Sequence, residues 1–261
     1  REVALKCLYK IDKEDAYSNI VLDEMLNENR RRLDERDIGL ISEIVYGVVT
    51  LRLTLDEIIR KYSNIRLKKI STWILNILRM GVYQIIFLDK IPKSAAVNES
   101  VNLAKRYGHK SSSNFVNAIL RKVEKTDYKE LFNIDNDVER ISKTTSMPVW
   151  IIEELLKEKE IDEVQKICEA SNNRPNISIR VNNLKTTKEK LKEELKKNNI
   201  QVEDGILDDF LVIKKVKNIE NFDLFKKGFF TIEDEGAGLI PIVLAPKQNE
   251  VVLDACSAPG G

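Results

Sequence analysis

From Arg1 to about residue 126 the apolar positions recur three and four residues apart, the period of a helix buried along one face. The opening stretch places Val3, Ala4, Cys7, Leu8 and Ile11 on such a face. "DERDIGLISEIVYGVVTLRLTLDEIIRKY" continues with Ile38, Ile41, Ile44, Val45, Val48, Leu55, Ile58 and Ile59. "KKISTWILNILRMGVYQIIFL" carries Ile70, Trp73, Ile74, Ile77, Leu78, Ile85 and Ile86, which nearly encircle the helix and predict the centre of a bundle. Asp89 and Pro92 end it, Gly108 stops the next helix, and "SSSNFVNAILRKVEK" predicts another with a serine or asparagine cap.

The polar, Asn/Asp-rich "KTDYKELFNIDNDVER" reads as a linker or satellite helix. Two short helices follow in "SMPVWIIEELLKEKEIDEVQKICEASNN", with Ser146 and Pro148 as their start signal. After Pro175 the period changes to two: Ile177, Ile179 and Val181 alternate with Ser178, Arg180 and Asn182, as in a strand. An amphipathic helix comes next, with Thr186 and Glu189 at capping-box spacing. "FLVIKKV" and "GFFTIED" predict two further strands, giving a small β-α-β-β module. "EGAGLIPIVLAP" predicts a helix with Pro241 in its first turn. "EVVLDA" predicts a strand buried on both faces, as in a parallel sheet.

Composition narrows the function classes. Net charge is +1, from 43 Lys+Arg against 42 Asp+Glu, so any polyanion-binding surface must be a local basic face. Cys7, Cys168 and Cys256 are far apart, which argues against a disulfide framework or a zinc site and fits a reducing, cytoplasmic compartment. The single histidine, His109, reads as a loop residue and leaves little room for histidine catalysis or metal ligation. No apolar run reaches the ~20 residues of a membrane span. The first residues begin inside a helical pattern and the last stop in a turn, so both ends are expected to be cut.

That last turn carries the chemistry. In "VVLDACSAPGG" a buried-type strand ends at Asp254 and runs into small residues and two glycines, the way open α/β sheets make ligand crevices. Turn chemistry alone is equally consistent with a tight loop. The stretch lacks the G-x-G-x-x-G fingerprint, which counts against a dehydrogenase.

"LDACSAPGG" resembles the S-adenosylmethionine-binding motif I of RNA 5-methylcytosine methyltransferases. "RPNISIRVN" and "GFFTIEDEGAGLIPIVLAP" resemble the segments preceding it in the RsmB (Sun/Fmu) branch. "RMGVYQIIFLDKIPKSAAVNESVNLAKRYG" and "NFVNAILRKV" resemble the NusB-like domain of that branch. The resemblance implies a multidomain chain: an all-α NusB-like bundle over 1–126, a helical linker over 127–173, an α+β module over 174–235, and over 236–261 the truncated start of a Rossmann-type α/β methyltransferase domain. It implies S-adenosylmethionine as cofactor, bound by Cys256, Ser257, Ala258, Pro259, Gly260 and Gly261, and methylation of cytosine C5 in 16S rRNA by the intact protein. In the family, a cysteine in a Thr-Cys motif attacks cytosine C6 and one in a Pro-Cys motif helps release product. Cys7, Cys168 and Cys256 follow Lys6, Ile167 and Ala255, so these 261 residues are expected to be inactive alone.

Cys7 and Cys168 read as core residues, Asp254 as a strand-end carboxylate, and Glu233, Asp234 and Glu235 as carboxylates favoured before a helix. The basic candidates for RNA are Arg30, Arg31 and Arg32 in one cluster and Lys105, Arg106, His109 and Lys110 in another, with Lys68 and Lys69 available to either. Tyr62 and Tyr107 are the nearby aromatics; each cluster alone also fits a solvated helix end. A monomer without metal or membrane contact is expected. The rival reading is a non-catalytic NusB-like adaptor for RNA or protein.

Overall fold

The structure, a computed structural model, describes residues 1–126, 131–173, 175–214, 219 and 222–257. The chain divides into two compact units, Arg1–Asn173 and Arg174–Gly261.

The first unit is helical. It contains α1 (Glu2–Glu14), α2 (Ser18–Asn29), α3 (Glu35–Thr50), α4 (Arg52–Tyr62), α5 (Thr72–Phe87), α6 (Lys93–Tyr107) and α7 (Lys110–Glu124), then α8 (Asp137–Thr145), α9 (Val149–Leu155) and α10 (Ile161–Ser171). As its sequence predicts, α5 is the axis: Ile74 and every residue from Asn76 to Ile85 are buried. The helices around α5 contribute Leu5, Ile44, Leu55, Ala96 and Leu120 to the same core. A Leu or Ile side chain is worth ~1.5–3 kcal/mol on full burial. Gly47 lets α3 lie close to α5, because a methyl group there would overlap the Tyr83 ring.

Three polar residues share the buried face of α5. Arg79 forks onto Asp56, with Nε 2.7 Å from Oδ1 and Nη2 2.8 Å from Oδ2, and its Nη1 reaches Asp12 at 2.9 Å. Asn76 also donates to Asp12, at 3.1 Å. Gln84 donates to the Met80 carbonyl, at 2.9 Å. The buried charge is therefore paired and hydrogen-bonded, the condition for keeping it ionised in a core.

Several local expectations are corrected. The helical period of residues 34–62 covers two helices, α3 and α4, bent by 78° at Leu51. Ser146 does not begin a helix. It ends α8 in the left-handed region (φ 61°), and its Oγ accepts from the Leu53 amide at 2.8 Å, serving a donor that the first turn of α4 leaves free. His109 is no simple loop residue but the N-cap of α7, and its amide donates to Ser112 Oγ at 3.3 Å.

The second unit runs β1 (Ile177–Val181), α11 (Lys188–Lys197), β2 (Gln201–Asp204), β3 (Phe210–Lys214), α12 (Asp223–Lys226), β4 (Phe230–Ile232) and α13 (Glu235–Leu244). The four strands form an antiparallel sheet in the order β2-β3-β1-β4, the split β-α-β-β-α-β arrangement. Its packed face sets Ile179, Val181, Leu211, Ile213 and Phe230 against Leu191 and Leu195 of α11. Thr187, not Thr186, caps α11 by accepting from the Lys190 amide. The strand β2 escapes the sequence pattern because it is a four-residue edge whose one apolar residue, Val202, is only half-buried.

Pro241 lies in the second turn of α13 rather than the first. Residues 251–254 form no strand: Val251 is fully exposed and Leu253 87% exposed. A strand needs neighbours for its amides and carbonyls, and among the described residues none pairs with this segment.

Candidate nucleic-acid interface and cofactor loop

The two basic clusters, distant in sequence, meet in part. Arg30 ends α2, Arg31 and Arg32 form the turn beyond it, and the Arg32 amide closes that turn on the Asn29 carbonyl at 2.8 Å. Arg31 and Arg32 line a surface depression together with Arg106 of α6 and with Lys6, Glu2 and Glu28. Four basic side chains therefore face two carboxylates, a local positive excess on a chain with almost no net charge. Lys6 was not among the basic residues that the sequence singled out; its helix partner Glu2 lies 3.4 Å away.

Glu2 organises the floor of this depression. Its carboxylate accepts from the Tyr107 hydroxyl and from Arg106, and these contacts hold it below the usual carboxylate range, the Tyr107 hydrogen bond first. Burial, then the same hydrogen bond, pushes the Tyr107 phenol up to about 12. Trp73 carries a stacked ring at 3.7 Å (Tyr9) and another at 4.7 Å (Tyr107), and the Arg106 guanidinium sits 5.9 Å from the Tyr107 centroid. Tyr62 is occupied too, its hydroxyl donating to Thr126 Oγ1 at 2.8 Å. Both tyrosines expected beside the basic residues thus have their hydroxyls engaged within the fold, and the Tyr107 ring is stacked on Trp73.

The remaining basic candidates lie outside the depression. Arg30, Lys105 and Lys110 are exposed, and Lys68 stands in the short 3-10 turn Leu67–Lys69. Lys69 and His109 line a separate groove with Trp73, Tyr107 and Phe115.

The cofactor loop is described only as far as Ser257, and Ala258, Pro259, Gly260 and Gly261 lie outside the described residues. Cys256 is exposed and its amide donates to Asp254 Oδ1 at 2.9 Å, a local turn. Cys7 and Cys168 are buried, and burial raises both thiols, Cys7 to about 11. Neither supplies a thiolate nucleophile.

The three carboxylates at the start of α13 have separate structural tasks. Asp234 caps the helix by accepting from the Gly236 amide at 2.7 Å. Glu235 Oε1 accepts from the Ile206 and Leu207 amides. Glu233 Oε2 is 3.0 Å from Arg180 Nε without hydrogen-bond geometry. Among the described residues no group of three or more His, Cys, Asp or Glu side chains is placed to hold a metal ion, and no single helix is long and apolar enough to cross a membrane.

Comparison with known proteins places these features together. Residues 1–125 match the NusB family, and residues 147–220 match the ferredoxin-like domain of the RsmF/B-like methyltransferases. The whole chain aligns at 34% identity with "Probable ribosomal RNA small subunit methyltransferase B" of Bacillus subtilis, and at 28% with "Ribosomal RNA small subunit methyltransferase B" of Shewanella oneidensis. In each case it spans 58% of the relative's length. The crystal structure of PH0851 superposes on all of this chain and 59% of its own, with a TM-score of 0.68 at 21% identity, a likeness of fold. The chain therefore joins a NusB-family domain to an RsmF/B-type ferredoxin-like domain, and over its whole length it is similar to small-subunit rRNA methyltransferase B proteins.

Proposed function

We propose that the intact protein uses S-adenosylmethionine to methylate C5 of a cytosine in 16S rRNA, in the cytoplasm. Residues 1–126 and 174–235 would hold the RNA, and the loop from Cys256 to Gly261 would begin the cofactor site. The observation that carries this reading is the end-to-end alignment with small-subunit rRNA methyltransferase B proteins. The convergence of Arg31, Arg32, Arg106 and Lys6 supports an RNA-facing role for the helical unit, since phosphate contacts by Arg and Lys dominate nucleic-acid affinity.

In this reading the cofactor supplies an electrophilic methyl group, and the protein lines its methionine and ribose side with the small residues after Asp254. The thiols expected to attack and release cytosine belong to Thr-Cys and Pro-Cys motifs, which residues 1–261 do not contain. The test is methyl transfer from tritiated S-adenosylmethionine to transcribed 16S rRNA, followed by nucleoside analysis. The intact protein should yield labelled 5-methylcytidine and residues 1–261 alone none. Label in any other nucleoside, or none from the intact protein, refutes the assignment.

A further inference from the structure

A second groove in the helical unit has a different character from the arginine-lined depression. It lies between the start of α5 and the junction of α6 with α7. Its floor is apolar, built from Ile65, Ile70, Ile74, Trp73 and Phe115. Lys69 and His109 stand on its rim with Ser111 and Ser112, and no carboxylate lines it. Neither α5 nor α7 carries an acidic residue in its first turn, although carboxylates are favoured there. Lys110 instead opens α7, and Lys68 adjoins Lys69. Ile65 is 43% exposed at the edge, a large aliphatic side chain without a full packing partner.

The chemistry of an occupant follows from two facts. An apolar floor inside a rim that is basic and free of carboxylates complements a ligand with an apolar anchor and flanking negative charge. A single-stranded nucleic acid would also bring negative charge, but it binds such surfaces through open aromatic faces. Here the indole of Trp73 is stacked by both Tyr9 and Tyr107, and the Tyr107 ring also has the Arg106 guanidinium near it. The one large apolar side chain of the lining that stands exposed is aliphatic, Ile65. That favours side chains over bases.

The geometry points to this groove as a docking site for an acidic peptide segment of a partner protein, with an aliphatic or aromatic side chain seated over Ile65, Ile70 and Ile74 and carboxylates facing Lys68, Lys69 and Lys110. The assignment is independent of the methylation reading. It gives the helical unit two faces, the arginine-lined depression for RNA and this groove for protein.

The test uses the 261-residue chain with isotope-labelled isoleucine methyl groups and two probes, acetyl-Glu-Glu-Leu-Phe-Glu-Glu-amide and its counterpart with lysine in place of glutamate. The acidic peptide should shift the Ile65, Ile70 and Ile74 methyl resonances, and the basic one should leave them in place. Ile65→Asp and Lys69→Glu, both at exposed positions, should each weaken the acidic peptide by about tenfold or more while preserving the far-ultraviolet circular dichroism. A uridine-rich oligonucleotide should leave these three methyls in place. The inference is overturned if the acidic peptide leaves the three methyls unmoved, if both peptides move them equally, or if the oligonucleotide is what moves them.

Discussion

Arg79 grips both oxygens of Asp56, at 2.7 and 2.8 Å, from the most buried helix of the structure. With Asp12 at 2.9 Å it ties α1, α4 and α5 into one charged knot, and Arg52 closes the knot from outside, 3.0 Å from Asp12. Removing Asp56 leaves the buried Arg79 guanidinium with Asp12 as its one remaining carboxylate and two of its N–H donors unmet, a loss that approaches the ~3–5 kcal/mol of a broken buried pair. Asp56→Ala should therefore destabilise the protein by roughly that amount in chemical denaturation. Arg79→Met combined with Asp56→Leu should recover most of the loss, since Asp12 keeps Arg52 and Asn76. A double variant as unstable as the single one would show that the knot contributes more than charge pairing.

Two helix glycines should respond oppositely to a methyl group. Nothing lies within 4 Å of a Cβ built on Gly39, so Gly39→Ala should stabilise α3 by about 0.5–1 kcal/mol. At Gly47 the methyl meets Tyr83, and the overlap should cost about 1–3 kcal/mol despite the better helix propensity. Thermal unfolding of the two variants measures both signs.

A residue far along the chain bonds the first turn of α4, just past the bend from α3. Ser146→Ala should lose about 0.5–1.5 kcal/mol, the net worth of its hydrogen bond to the Leu53 amide. Ser146→Gly separates two effects, because glycine relieves the positive φ while still removing the hydroxyl. The glycine variant should be the more stable of the two.

What was legible in the sequence follows from these cases. Most of the helices and three of the strands announce themselves by period, as Ile77 and Leu78 do in α5 and Ile179 and Val181 in β1, whereas the four-residue α12 is too short to show one. The bend at Leu51 does not, because Val48 and Leu55 lie seven residues apart and stay in phase across it. The hydrogen bond that supports the bend comes from a residue 93 positions away. The basic clusters were visible as composition, whereas the meeting of Arg31 and Arg32 with Arg106 is tertiary. The apolar run at 251–254 was misleading, since an apolar run describes a buried strand only where neighbours are present to pair with it.

The pH dependence should carry the mark of Glu2. Its carboxyl is held below the ordinary value of 4.5 in the folded chain, by Tyr107 first. The stabilisation is therefore present above that value and lost as the pH falls through the lower folded value. The difference in melting temperature between the wild type and Glu2→Gln should be constant from neutral pH to about 5 and shrink below about 4. A difference that persists unchanged into acid would show that the carboxylate is not its source.

RNA affinity should depend on the arginine-lined depression. Reversing Arg31, Arg32 and Arg106 to glutamate should weaken binding of 16S rRNA fragments. It should also flatten the dependence of log K on log salt by about 0.7 for each single-strand phosphate that is no longer neutralised. The equivalent change at Arg30, Lys105 and Lys110, which stand apart, should have the smaller effect.

The most direct measurement is bisulfite sequencing of 16S rRNA from cells of the source organism with and without the gene. If the intact protein methylates cytosine C5, one cytosine should be protected in the wild type, unprotected in the deletion strain, and protected again when the intact gene is restored. An unchanged pattern of protected cytosines would contradict that activity.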